Sequence, residues 1–106
     1  MPTNPWALVL IAGVLEVGWA LGLKWSDGFT KLVPTALTII GALASFFLLA
    51  QAMKSLPVGT AYAVWTGIGA LGTATLGMAL FGEPATLVRI AGVALIVSGI
   101  IALKLA

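Results

Sequence analysis

The chain alternates long apolar runs with short polar breaks, and there are four such runs. The first extends from Pro5 to Leu23, the second from about Leu32 to Met53, the third from about Val58 to Phe81, and the fourth from about Ala85 to Leu103. A helix of about 20 apolar residues crosses a ~30 Å hydrocarbon core. Lipid offers nothing to an unpaired backbone N–H or C=O, so a span must be a helix or part of a closed barrel. These runs are too long for barrel strands of about 9–11 residues and lack strict alternation. The pattern predicts an all-α membrane protein, one domain over residues 1–106, with transmembrane helices at about 5–24, 32–53, 58–81 and 85–104. Helices two and three are joined so tightly that antiparallel neighbours are expected.

The breaks carry their own signals. Pro5 suits a first helical turn, where its missing N–H is no loss. Ser26-Asp27-Gly28 signals a turn, and Pro57 closes the second loop. Gly67-Ile68-Gly69 in mid-span invites a bend. It can serve as a hinge for alternating exposure of a site, or simply admit a neighbouring helix. Gly92 and Gly99 lie seven residues apart on one stripe of helix four, with no ionisable group between Arg89 and Lys104. Small residues on one stripe permit close helix crossing, which suggests an assembly face, with a lipid-facing stripe as the alternative. Glu83 and Arg89 are expected to be solvated helix-end charges, Arg89 snorkelling along its aliphatic stem.

Composition sharpens this picture. Of 106 residues, 61% are hydrophobic and 8% charged, against about 25% charged in soluble domains. Mean hydropathy is +1.19, so the chain needs lipid. With no Cys and no His, thiolate chemistry, disulfides and His-based metal or acid–base sites are excluded. No cofactor, metal or enzyme activity is expected, and no basic patch points to nucleic acid. The first residues lack a basic n-region, so no cleaved signal peptide is expected, and Trp6 suits the interfacial belt. An even number of spans places Lys54 and Lys104 on one side and Lys24, Lys31 and Arg89 on the other. That balance sets almost no orientation by the positive-inside rule. The chain can simply carry few charges, or it can insert both ways round, so that two oppositely inserted copies pair.

Glu16 lies deep in the first run, within Gly13-Val14-Leu15-Glu16-Val17-Gly18-Trp19-Ala20. A charge at the centre of a spanning helix costs roughly 2.5–3.5 kcal/mol on insertion scales, and such groups are functional by default. The alternative is an acid that serves assembly only. Four helices leave little interior, so a homo-oligomer with two Glu16 side chains at one site is expected. Like charges in a low-dielectric pocket resist joint ionisation and titrate as a unit. Such a site can hold protons and release them to an arriving cation. Gly13 and Trp19 share the face of Glu16 at i−3 and i+3. On helix three, Tyr62, Trp65, Gly69 and Gly72 share a face and offer an O–H, an indole N–H and aromatic surfaces for cations. Ordinary packing is the alternative for each aromatic. Ser45 on helix two is a candidate hydroxyl for orienting the carboxylate, although a helix serine commonly bonds its own i−4 carbonyl.

These residues resemble the small multidrug resistance family. The likeness rests on four short spans, the lone Glu16, Lys24 followed by Ser26-Asp27-Gly28-Phe29-Thr30-Lys31-Leu32, and the block from Pro57 to Gly69, of which Tyr62 to Gly69 is the specific part. It covers nearly the whole chain. Trp19 one turn after Glu16, and Ala42 where the multidrug branch carries a tyrosine, give the greatest similarity to the guanidinium-exporter subtype. The resemblance implies an antiparallel, dual-topology homodimer in the bacterial inner membrane that exchanges protons for guanidinium-type cations. It implies Glu16 as the shared proton and substrate carboxylate, with Trp19, Ser45 and Trp65 hydrogen-bonding and positioning it. Tyr62 would line the site and Gly13 would give room beside the carboxylate. Gly67 and Gly69 would mark the helix-three bend, and Gly92 and Gly99 the dimer stripe. Guanidinium is planar and forked, pairs bidentately with carboxylates, and is weakly hydrated. The competing readings are a broader quaternary-ammonium exporter of the same family and a non-transporting assembly subunit.

Overall fold

The computed structural model describes residues 4–106, so the first three residues of the expected 1–106 domain, including those that bear on a leader segment, lie outside it. The described residues form four helices, α1 (Pro5–Trp25), α2 (Leu32–Ala52), α3 (Val58–Leu80) and α4 (Leu87–Leu105), and no strand. All four are long and apolar enough to cross a membrane. Even the shortest, at 19 residues, spans roughly 28 Å at 1.5 Å per residue.

The helix ends follow from local chemistry. Asn4 caps α1, its Oδ1 accepting from Trp6 N at 2.9 Å, and Pro5 occupies the first turn. Ser26 closes α1 and is fully buried; its Oγ donates to Leu23 O at 2.8 Å and accepts from Phe29 N at 3.1 Å. The loop then turns through three left-handed residues, Asp27, Gly28 and Phe29, with φ of 50°, 70° and 68°. The Asp-Gly pair made this turn visible in the sequence, whereas Phe29 adopts a conformation that costs a non-glycine residue roughly 1–2 kcal/mol. Helix α4 begins at Leu87 rather than near residue 85, because Thr86 is its N-cap and accepts from Arg89 N at 3.2 Å. Glu83 and Arg89 are both part-exposed, and Arg89 Nη2 donates to Glu83 Oε1 at 3.2 Å, so these helix-end charges pair with each other.

The packing order differs from the chain order. Helix α1 lies against both α2 and α3, and those two touch each other only lightly. The short α2–α3 loop therefore makes them sequential without making them full neighbours, contrary to the expectation from loop length. Small residues on α1 explain this: Ala12, Gly13 and Gly22 are buried and let it approach helices on two sides. The main apolar cluster comprises Leu8, Val9 and Ala12 of α1, Leu49 and Ala52 of α2, and Ala61, Val64 and Trp65 of α3. Helix α4 packs on α3 and buries no residue. The result is a slab 37 × 35 × 17 Å, less than two helix diameters of about 10–12 Å thick. At one end Lys104 Nζ lies 4.7 Å from the Trp6 ring, and at the other the Trp25 and Phe81 rings lie 5.5 Å apart.

Candidate functional site

The site is built where α1 crosses α3. A Cβ on Gly69 would overlap the Glu16 carboxyl group, so the acid is seated directly on the bare backbone of α3. One turn to either side the same device repeats: a Cβ on Gly13 would lie 2.6 Å from Ile68 Cγ2, and one on Gly72 would meet Val17. Three glycines thus bring the two backbones close enough to lodge a carboxyl group between them. Glu16 Oε1 is buried and has no hydrogen-bond partner among the described residues, and neither has Trp19 Nε1. A buried acceptor in a low-dielectric setting is costly unless it is satisfied. Such a carboxyl group is suited to take a proton or a cation.

The donors expected at Glu16 are arranged differently. Trp65 Nε1 donates to Ser45 Oγ at 2.9 Å, and Ser45 Oγ donates to Ala12 O at 2.7 Å. Ser45 therefore bonds across to α1 rather than to its own helix. Ala12 O is the carbonyl one helical turn before the Glu16 N–H, so the chain Trp65–Ser45–Ala12 holds the turn that carries the acid, not the acid itself. Within this chain neither Trp19, Ser45 nor Trp65 donates to Glu16. Trp19 instead packs over Gly41 and meets Phe46 edge-on, with ring centroids 6.1 Å apart. Phe46 meets Trp65 at 5.8 Å, and Trp65 meets Tyr62 at 5.4 Å. These contacts make an aromatic ladder, Trp19–Phe46–Trp65–Tyr62, across three helices. Phe46 was not singled out in the sequence; its only signal is adjacency to Ser45. Tyr62 is exposed and borders a groove of about 460 Å³ between α3 and α4, lined also by Thr66, Gly67, Ile96 and Gly99.

Comparison with known proteins decides the family. The family model of the Small Multidrug Resistance protein matches residues 4–96. The chain belongs to the small multidrug resistance family. It is 62% identical over 101 residues to a protein of Yersinia pseudotuberculosis named Guanidinium exporter, covering 95% of this chain and 97% of that one. It is 59% identical over 100 residues to the Escherichia coli (strain K12) protein of the same name, covering 94% and 95%. The Proteus vulgaris protein of that name is 54% identical over 101 residues, covering 95% and 97%. The chain is a multi-pass protein of the bacterial inner membrane and a transporter, not an enzyme.

In this small multidrug resistance chain the remaining glycines divide sharply. Helix α3 runs unbroken through Gly67 and Gly69. A Cβ on Gly67 would lie 3.0 Å from Ile100 Cδ1, and Gly69 holds Glu16, so both give neighbours room. On α4, a Cβ at Gly92 or Gly99 would meet nothing within 4 Å. That stripe is open in the single chain.

Proposed function

We propose that this chain exports guanidinium and small substituted guanidinyl cations in exchange for protons, with Glu16 binding proton and substrate in alternation. The observation that carries the reading is the seat of Glu16: a buried carboxyl oxygen without a partner, held against Gly69 in mid-membrane. The names of relatives 54–62% identical supply the substrate. A guanidinium group fits such a carboxylate because it donates two parallel N–H bonds and is shed by water more readily than an ammonium. Two rings of the aromatic ladder, Phe46 and Tyr62, are exposed in the single chain, and a ring face contributes roughly 2 kcal/mol to a desolvated cation.

The working unit in this reading is an antiparallel homodimer of oppositely inserted copies. Glu16 as a whole is only half-buried in the single chain although one carboxyl oxygen is covered, and the Gly92–Gly99 stripe is open; both favour a second copy. In that unit Ser45 and Trp65 position the acid through the Ala12 carbonyl, and Gly67 and Gly69, which lie within an unbroken α3 in this structure, are where that helix would flex to alternate access.

Proteoliposomes loaded with guanidinium and subjected to a proton gradient test this. Glu16→Gln is expected to abolish efflux, and acidification is expected to raise the half-saturating guanidinium concentration of the unmodified protein, because protons and cations compete for one carboxylate. Proton-driven guanidinium efflux by Glu16→Gln would refute the reading.

A further inference from the structure

A second groove, of about 320 Å³, lies between α1 and α3 on the loop-one and loop-three side. It runs from Ala20 and Ala70 to Lys24, Phe81 and Glu83. Ala20 is one helical turn beyond Glu16, and Ala70 follows Gly69, so the deep end adjoins the turn that carries the acid. At about 30 Å³ of liquid per water, the volume holds on the order of ten waters, or a small cation with part of its shell.

Three features at this mouth match the chemistry of an organic cation. Glu83 supplies a carboxylate, part-exposed and already paired through Oε1 with Arg89; it is folded back over Gly77, where a Cβ would lie 2.5 Å from Oε1. Phe81 supplies a ring face that already carries a cation, since Lys24 Nζ sits 5.9 Å from its centroid. That distance is within cation–π range. Thr73 supplies a hydroxyl: its Oγ1 is buried, belongs to a residue of the groove wall and has no partner among the described residues. Thr75, two residues on, bonds its i−4 carbonyl Leu71 O at 2.8 Å, which is the usual way a helix hydroxyl is satisfied. Thr73 does not follow it.

We propose that this groove is a peripheral binding site for guanidinium-class cations on the path between Glu16 and water, with Lys24 as the resident cation that an arriving ligand displaces from Phe81 and Arg89 as the one it displaces from Glu83. The identity of the ligand rests on the proposed function above; the site itself rests on the groove.

The test titrates the 106-residue chain in lipid nanodiscs with guanidinium chloride, against sodium chloride at matched ionic strength. It follows the backbone amide resonances of Gly77, Phe81 and Glu83, and separately those around Glu16. In the Glu16→Gln protein the mouth resonances are expected to keep shifting saturably with guanidinium while the deep site falls silent. Glu83→Gln is expected to weaken the mouth response about threefold, the size of an exposed charge contact, and Lys24→Gln to strengthen it by a similar factor. Opposite signs mark a ligand site, because damage to packing would weaken the response in both variants. Mouth resonances that answer guanidinium no more than sodium overturn the proposal, as do Glu83→Gln and Lys24→Gln effects of one sign. Guanidinium efflux by the unmodified protein, measured in parallel, separates the two readings: efflux with a silent mouth removes this site alone, and a responding mouth without efflux removes the proposed function alone.

Discussion

Helices α1 and α4 are comparably apolar spans of 21 and 19 residues, and each carries two or more glycines. Their positions in the fold are opposite. Helix α1 buries six residues and supports both α2 and α3; α4 buries none and leans on α3 alone. Hydropathy decides that a segment enters lipid, where tails are as apolar as leucine, and so it cannot decide which segment lies inside the bundle. What separates them is where the small residues find partners. Gly13 and Gly22 of α1 each face a side chain that a Cβ would strike, whereas Gly92 and Gly99 of α4 face open space. Gly18 of α1 is open as well, so it is Gly13 and Gly22 that mark the packed sides of the helix that carries the acid, and close packing and chemistry lie on the same element.

The two helices differ most at the seat of Glu16. Gly69→Val places a branched side chain where the carboxyl group now lies, and overpacking of a close contact costs roughly 1–3 kcal/mol. Guanidinium efflux is expected to fall by about a hundredfold, the upper end of that range. Gly92→Val, on α4, is expected to leave the fold of the single chain unaltered by circular dichroism. Equal losses of helical content in both variants would show that α1 and α4 do not differ as the packing implies.

Ser45 gives the next largest effect. Ser45→Ala removes the acceptor of the Trp65 indole and the donor to Ala12 O together. A buried group left unsatisfied costs about 1–3 kcal/mol, so unfolding titrations in mixed micelles should show a loss of about 2 kcal/mol. If Ser45 instead bonded only within α2, as an isolated helix serine does, Ser45→Ala would be close to neutral. The α4 counterpart is Ser98, which does bond its own Ala94 O at 2.8 Å, and Ser98→Ala is expected to change little.

That contrast also marks how far the sequence could be read. The four spans and the intramembrane acid were legible, because run length and a carboxylate among apolar residues are local signals. The partners of the acid were not. Ser45 and Ser98 look alike in sequence, and only the packing of α2 on α1 sends one across to Ala12 and leaves the other on its own helix. The same holds for α1 lying between α2 and α3, where a short loop suggested direct neighbours. Phe46 joins the aromatic ladder through contacts from two other helices, which no spacing along α2 announces.

The stripe on α4 is open where the glycines at the α1–α3 crossing are filled. If a second copy covers it, Gly92→Leu with Gly99→Leu should weaken dimerisation by about 1 kcal/mol or more, the lower end of an overpacked contact. The stability of the single chain should move by less than about 0.5 kcal/mol, as for substitutions at positions that touch nothing. Cross-linking in nanodiscs reads the first quantity and unfolding in detergent reads the second. A dimer unchanged by both leucines would assign that stripe to lipid.

The smallest effect lies where the two helices meet. The backbones of α1 and α4 do not approach, yet Lys104 Nζ at the end of α4 lies 4.7 Å from the Trp6 ring at the start of α1. An exposed cation–π contact contributes about 0.5–1 kcal/mol. Lys104→Ala is therefore expected to lower stability by about 0.5 kcal/mol, read as a small shift in the unfolding midpoint, and Lys104→Arg to retain most of it because a guanidinium serves the same ring. The contact ties an otherwise unburied helix to the central one at a single end, so its removal should raise hydrogen exchange in the last turn of α4 while leaving the turn around Gly92 unchanged. Faster exchange along the whole of α4 would mean that this one cation, rather than the packing on α3, fixes where the helix sits.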